Sequence, residues 1–496
     1  MFMFDVMRRI AGAAYARATL RTRSIRTAQH RLDMQAARGC RFLMAIPYLK
    51  SGGAERVAAN LTHALAHLYG PESIAVLVTD WSGLIVRLIF PENTPNSYPL
   101  KVEFTNIAHL GHAPYDERVW DLKTALLSMQ PQMVLNVNSH LMWEVFERFG
   151  PELRKHMRLG TVAFGNIEDK GGRPIGYSAT HLERMLPCLD FVISDNQTHV
   201  DELTRTLVKA PATEKVPTQR EWSTAKILAR KIDAVRRENA DLADYLTRLK
   251  PSKAEWAAAE QLAKEIEHRL DPDDAAKLKC VYQHVPIMRE RKHVYRSERP
   301  QILWASRVKR AKFPEILPRI ARLLPDCDIH AYGAREFGYR YPAAKNLLFP
   351  TYDLGGYIPK APNLFWHGGY KSFAELPLVS VDAMLYTSLY DGLPNVLLEA
   401  GAHQIPIVAP LIGGIGELIT PQTGFPVENG SDPREYADRV RELLSSREEA
   451  TQRTAALYRL IKTRHSFEAF CAKVLTLVEG EPTREPVLAL PAAAVS

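Results

Sequence analysis

The sequence lacks any apolar run of the roughly 18–20 residues that a spanning helix needs, which excludes a transmembrane protein. Cysteine is scarce. Cys40, Cys188, Cys280, Cys327 and Cys471 are five in all, widely scattered, and form no Cys-x-x-Cys pair. Neither a zinc ribbon nor a disulfide scaffold is supported, and a reducing cytoplasm is the expected compartment. No His-Glu-x-x-His motif or Cys/His cluster is present, so no metal site is expected. The start of the chain lacks the continuous apolar core of a secretory signal. Acids and lysine are nearly missing from residues 1–40, which hold eight arginines, no lysine, and only Asp5 and Asp33. That stretch carries +6 of the net +8, leaving about +2 on the other 456 residues. A nucleic-acid binder should carry its basic surface on the folded body, so no nucleic-acid partner is expected.

What is present is an ordinary globular composition, with 46% hydrophobic and 24% charged residues. A chain of 496 residues exceeds one core, and two domains are expected. In the basic start, Phe2, Val6, Ile10 and Ala13 recur at helical spacing. Three readings stand there: an amphipathic segment on an anionic membrane, an organellar transit peptide, and a solvated tail.

From Arg41 the texture changes. Arg41–Pro47 reads as a buried strand, followed by a Gly-containing loop and a helix with Val57, Leu61, Ala64, Leu65 and Leu68 on one face. Ile74–Thr79, Met133–Val137, Leu159–Phe164 and Phe191–Ser194 read as further strands between helical stretches. Such alternation predicts a parallel sheet covered on both faces. Residues 213–278 break it: they contain no glycine, and Leu228, Ile232, Val235, Asn239, Leu242, Leu246 and Leu249 form a heptad seam. Lys250-Pro251-Ser252 interrupts it, and Trp256, Ala259, Ala263, Ile266 and Leu270 form a second seam. This reads as a helical hairpin, either a dimerisation or docking arm or a self-packed insert. A second α/β pattern starts near Arg299, with strands at Gln301–Ala305, Ile329–Tyr332, Ser380–Tyr386 and Ile405–Ala409. Helices are expected over Phe313–Leu324, Asn395–His403 and Phe467–Val478. The expected divisions are a basic tail (1–40), an N-terminal Rossmann-like domain (41–208), the hairpin (209–280), a C-terminal Rossmann-like domain (281–478) and a flexible Pro/Ala-rich tail (479–496).

Three segments carry candidate chemistry. In Tyr390-Asp391-Gly392-Leu393-Pro394-Asn395-Val396-Leu397-Leu398-Glu399 a strand ends, a Gly/Pro loop turns and a helix begins. Free amides at such a helix start favour an anion, and Asp391 and Glu399 offer carboxylates at two depths. The plainer alternative is a loop cap and a solvated helix residue. Arg307 leaves a strand and Lys312 follows five residues later, so the two cations can clamp a diphosphate or can simply face solvent. Gly52-Gly53 permits close backbone approach to phosphate. Asp326-Cys327-Asp328 mimics a metal-binding Asp-x-Asp, but it precedes a strand and suits a turn.

Taken together, GGAERV (52–57), SRVKRAK (306–312), DGLPNVLLEA (391–400) and GGIGEL (413–418) resemble glycosyltransferase family 4. The resemblance covers roughly 41–208 and 281–478. It implies a GT-B fold, in which two Rossmann-like doubly wound domains face a cleft, and retaining transfer of a sugar from a nucleotide-sugar donor. By that resemblance Arg307 and Lys312 bind the donor diphosphate. Gly53, beside Gly52, lines the phosphates, Glu399 contacts the ribose, and Asp391 faces the donor sugar. The amides of Gly392, Leu393, Pro394 and Asn395 line the sugar and phosphate site. The chain departs from the family pattern twice. The first motif acid is Asp391 rather than Glu, and the family histidine after Leu159–Phe164 is missing. Glu168 or Asp169 can serve there, or His140 can reach in from a neighbouring loop.

The expected activity is a metal-independent hexosyltransferase without a cofactor, acting on a glycan or lipid-linked acceptor in bacterial polysaccharide biosynthesis. It is expected in the cytoplasm, with peripheral membrane contact through 1–40 and homo-oligomer contact through 213–278 as further partners. The rival readings are a degenerate GT-B assembly subunit and a nucleotide-sugar 2-epimerase.

Overall fold

The computed structural model describes residues 39–47, 53–79, 103–106, 115–165, 167–168, 174–175, 181–207, 272–286, 299–334 and 361–480. The basic segment 1–38, both heptad seams, Gly52 and the Pro/Ala-rich segment after 480 lie outside those residues. The chain forms two compact units, one of Met1–His199 with Cys280–Ser496 and the other Val200–Lys279. Among the described residues no helix is long and apolar enough to cross a membrane.

In chain order the N-terminal lobe runs β1 (Phe42–Ile46), α1 (Gly53–Tyr69), β2 (Ile74–Val78), β3 (Glu103–Asn106), α2 (Tyr115–Met129), β4 (Met133–Asn136), α3 (His140–Leu153) and β5 (Arg158–Val162). It continues with the short hairpin β6 (Ile167–Glu168) and β7 (Pro174–Ile175), then α4 (Leu182–Met185), β8 (Phe191–Ser194), α5 (Gln197–Leu207) and β9 (Leu278–Cys280). The sheet order is β3-β2-β1-β4-β5-β8-β9. The pairings among β1–β5 and β8 are parallel, with Met44 between Val76 and Leu135. β1, β2 and β4 are buried along their whole length, as a parallel sheet covered on both faces requires.

The C-terminal lobe repeats the winding. It runs β10 (Gln301–Ala305), α6 (Leu317–Leu323), β11 (Asp328–Tyr332), β12 (Leu364–Gly368), β13 (Ala383–Leu385), α7 (Asn395–Ala402), β14 (Ile407–Pro410), β15 (Phe425–Val427), α8 (Pro433–Ser445), α9 (Arg447–Arg464) and α10 (Phe467–Glu479). Its sheet order is β12-β11-β10-β13-β14-β15, parallel throughout. Alternation along β10 feeds two cores: Ile302 and Trp304 pack with α6 and α8, and Leu303 and Ala305 with α7 and α9. In both sheets the order reverses once, between β1 and β4 and between β10 and β13. A doubly wound sheet opens its crevice outside the carboxyl ends of the strands at that point. These are two Rossmann-like layers, an α/β architecture of the GT-B type.

Three local expectations differ. The helix expected over Phe313–Leu324 is only Leu317–Leu323, preceded by a 3-10 turn at Pro314–Ile316 and, before Phe313, by another at Arg310–Lys312. Pro314 and Pro318 have no N–H to donate, and Phe313 between the turns adopts a left-handed φ of 46°. The strand expected over Ser380–Tyr386 is only Ala383–Leu385, preceded by a 3-10 turn at Leu378–Ser380.

The third concerns α10, expected to close the C-terminal domain. Phe470, Cys471, Val474 and Leu477 instead join the N-terminal core with Phe42, Val57 and Leu61. Arg158 Nη2 donates to the Leu477 carbonyl at 3.1 Å, and Tyr69 OH donates to Glu479 at 2.8 Å. Val281 packs in the same core while Val285 packs in the C-terminal one. The chain therefore crosses between lobes twice, and the crossings are tied together: Val285 N donates to the His465 carbonyl at 3.0 Å. Phe470 is 1% exposed, so Phe470→Ala should lower unfolding stability by about 3–5 kcal/mol. Urea unfolding checks this; a loss under about 1 kcal/mol would remove α10 from the core.

Candidate functional site

The C-terminal wall is built from the segments that leave β10 and β13. Arg307 follows β10 and is exposed. Lys312 ends the 3-10 turn, and the loop after β13 is stitched onto that turn. Thr387 Oγ1 donates to the Lys312 carbonyl at 2.8 Å, and Ser388 Oγ and Leu389 N each donate to the Ala311 carbonyl at 2.8 Å. The loop thereby delivers Asp391 to Lys312. Lys312 Nζ is ion-paired with Asp391 Oδ2 and donates to Tyr386 OH at 2.8 Å, while Tyr386 OH donates to the same Asp391 oxygen. Tyr386 is fully buried; burial, then the adjacent Asp391 carboxylate, hold its phenol far above the usual range.

The GGIGEL segment supports this loop from behind. Gly413 has φ of 50°, and a Cβ there would lie 1.8 Å from the Asp391 carbonyl oxygen. Glycine is the residue that meets both demands. Gly414 N donates to the Gly392 carbonyl at 3.1 Å.

The N-terminal wall comes from the ends of β5 and β8. A Cβ on Gly165 would stand 3.6 Å from Gly392 Cα, and a Cβ on Gly392 would stand 3.2 Å from Asp195 Oδ1. Asn196 Nδ2 donates to that oxygen at 2.7 Å. Burial, with smaller contributions from Asp391 and Glu417, pushes the Asp195 carboxyl up to about 6, against the Asn196 hydrogen bond. Glu417 crosses the seam to the start of α5. It accepts from Gln197 N (3.2 Å), Thr198 N (2.6 Å), Thr198 Oγ1 (2.6 Å) and Tyr282 OH (2.6 Å). Burial alone would raise Glu417, but the hydrogen bonds from Thr198, Tyr282 and Gln197 outweigh it and hold the carboxyl below its ordinary value. A carboxylate at a helix N-terminus also meets the positive end of the helix dipole.

The second acid is paired across the cleft. Arg56 Nη1, in the first turns of α1, donates to Glu399 Oε1 at 2.7 Å. Tyr370 lies beside this pair. Burial and Glu399 push its phenol up to about 12, against the nearby Arg56 and Arg307.

Of the expected residues, the structure brings Lys312 and Asp391 into contact, sets Gly392 at the seam, and places Gly53 at the first position of α1. Leu393 buries its side chain in the C-terminal core. Its side chain fills the space beneath the loop. Pro394 is the N-cap of α7 and has no N–H, so the expected amide row from Gly392 to Asn395 is interrupted there. His140 is exposed at the first position of α3, and Glu168 lies in β6. The N-terminal residues that meet the 391–395 loop are Gly165, Asp195 and Asn196. Sequence reasoning missed Arg56, Asp195, Tyr370 and Tyr386. Arg56 was inside a quoted motif, whereas Tyr386 carried only a strand signal.

The Asp195 shift has a sign. The folded protein keeps a proton that the unfolded chain has lost, so stability falls as pH rises from about 4 through about 6. Asp391 and Glu417 are the charges facing it. Asp195→Asn should therefore gain stability relative to the unsubstituted protein over that interval. Thermal unfolding at stepped pH checks this, and parallel profiles would refute it.

Residues 299–446, most of the C-terminal lobe, match the family model for glycosyl transferases group 1. A search of curated proteins finds no significant match. Among solved structures, Anabaena Alr3699/HepE in complex with UDP and glucose superposes with a TM-score of 0.54 at 14% identity, over 88% of this chain and 99% of that one. Sucrose-phosphate synthase from Thermosynechococcus elongatus gives 0.56 at 13% identity, over 88% and 97%. The lipopolysaccharide outer core galactosyltransferase WaaB gives 0.53 at 12% identity, over 88% and 98%. The protein thus has the GT-B fold, and residues 299–446 of its C-terminal lobe are similar to the glycosyl transferases group 1 model.

Proposed function

We propose that the protein is a retaining, metal-independent hexosyltransferase of glycosyltransferase family 4. It takes a sugar from a nucleotide-sugar donor and passes it to a glycan or lipid-linked acceptor in bacterial polysaccharide biosynthesis. One observation supports the reading: Lys312 and Asp391 pair, with Arg307 on the adjacent segment, on the chain that leaves the carboxyl ends of β10 and β13, where a doubly wound sheet holds its ligand. The names of similar folds support the context, since HepE was solved with UDP-glucose and WaaB is a lipopolysaccharide galactosyltransferase.

In this reading Arg307 and Lys312 take the donor diphosphate, and Glu399 takes the ribose. The bond from the sugar's anomeric carbon to the diphosphate breaks, a bond from the acceptor oxygen to that carbon forms on the same face, and the acceptor hydroxyl's proton passes to the departing diphosphate oxygen. Negative charge develops on the departing phosphate, where fixed cations stabilise it as it appears. Lys312 exchanges Asp391 for phosphate as the donor enters, and Tyr386 OH stays on Asp391 to satisfy the carboxylate left behind.

Thermal shift with UDP-, GDP-, ADP- and dTDP-linked sugars, in EDTA, tests the reading. One donor far above its Kd should stabilise the protein by about 2–4 kcal/mol. Arg307→Ala should abolish that shift. No hit across the panel would overturn the donor site, and normal turnover by Glu399→Ala would remove Glu399 from it.

A further inference from the structure

Glu399 and Arg56 are 343 positions apart and belong to opposite lobes, yet they make a 2.7 Å contact. The contact is single-stranded in its chemistry. Arg56 Nη1 uses Oε1, and no hydrogen bond to Glu399 Oε2 is found among the described residues. An ionised carboxylate has about four lone-pair positions, so one oxygen can stay on arginine while the other accepts from a ligand. Both side chains are partly exposed, at 31% for Arg56 and 20% for Glu399, so the pair faces accessible space rather than the core. Its surroundings keep it in place. Tyr370 and Arg307 lie on the C-terminal side, and His284, whose ring packs edge-on against Phe467, lies near Arg56 on the N-terminal side.

We propose that Arg56 is a positioning residue for ribose recognition: held on Oε1, it fixes the Glu399 carboxylate so that Oε2 points to a ribose hydroxyl. This rests on the donor reading above. The physical cause is entropic and electrostatic. A glutamate side chain loses rotamer freedom on being fixed, and a partner that fixes it beforehand removes that loss from the binding step. Arg56 also supplies its hold from the N-terminal lobe. Ribose recognition is therefore complete only with α1 and α7 in contact, and the lobe that binds the donor does not read the ribose alone.

The test uses the full chain and six ligands: UDP, GDP and ADP, each with its 2′-deoxy counterpart. Calorimetry gives Kd for the unsubstituted protein, Arg56→Ala and Arg56→Lys. A hydrogen bond to a charged acceptor separates ribose from deoxyribose by about tenfold or more. The unsubstituted protein should show that ratio, Arg56→Ala should bring it to within about twofold of unity, and Arg56→Lys should restore part of it. A merely structural role for Arg56 would weaken ribo- and deoxy-ligands alike and leave the ratio untouched. An unchanged ratio in a folded Arg56→Ala protein overturns the inference while leaving the donor site standing. Absence of binding by any nucleotide to the unsubstituted protein overturns the donor reading and the inference with it. Unfolding of the ligand-free variants, expected within a few degrees of the parent for an exposed pair, separates a folding defect from either result.

Discussion

The Glu417 carboxylate is the contact on which the site geometry depends. One side chain from the C-terminal lobe accepts from two backbone amides and a hydroxyl at the start of α5, and from the Tyr282 phenol on a crossing segment. Its own carbonyl accepts from Arg464 Nη2 at 3.0 Å, at the other crossing. Hydrogen bonds to a carboxylate are worth more than neutral ones, and this carboxylate is half-buried. Glu417 therefore fixes the end of β8 against the 3-10 turn that carries Gly413 and Gly414. Those glycines in turn set the backbone of Asp391 and Gly392. The position of Asp391 is thus decided by a residue that does not touch it.

The charges of the site are arranged in compensated pairs. Lys312 sits on Asp391, and Arg56 sits on Glu399. Each pair is only partly exposed, so neither acid is left buried without a cation. A charged ligand entering such a site trades one partner for another rather than exposing or burying a lone charge. Tyr386 OH is a second donor on Asp391, beside the lysine. The Asp391 carboxylate already rests on two side-chain donors, Lys312 Nζ and Tyr386 OH.

Much of this was legible in the sequence, and the limits have physical causes. Two alternating α/β patterns predicted two doubly wound sheets, because buried parallel strands such as FLMAI and IAVLV read as unbroken apolar runs. Asp391, Arg307, Lys312 and Glu399 stood out as candidates through local motifs, and of these the structure pairs Lys312 with Asp391. Periodicity shows that α10 has an apolar face, but not which core receives it, and that face crosses to the N-terminal lobe. The expected row of amides from Gly392 to Asn395 is interrupted at Pro394, which caps α7 without an N–H, while the Leu393 side chain fills the core.

The residues missed share one property: their roles exist only once distant segments meet. Arg56 reads as a surface arginine on an amphipathic helix, and Asp195 as a turn acid after a strand. Each gains its function from a glycine-lined approach or a carboxylate on the other lobe. The C-terminal lobe holds the recognisable group 1 motifs, yet both of its motif acids have neighbours from outside that match. Gly165 and Asp195 border the Asp391 loop, and Arg56 holds Glu399. The group 1 match over 299–446 therefore covers one side of these contacts. The other side is supplied by the N-terminal lobe, which the two crossings bring back against it.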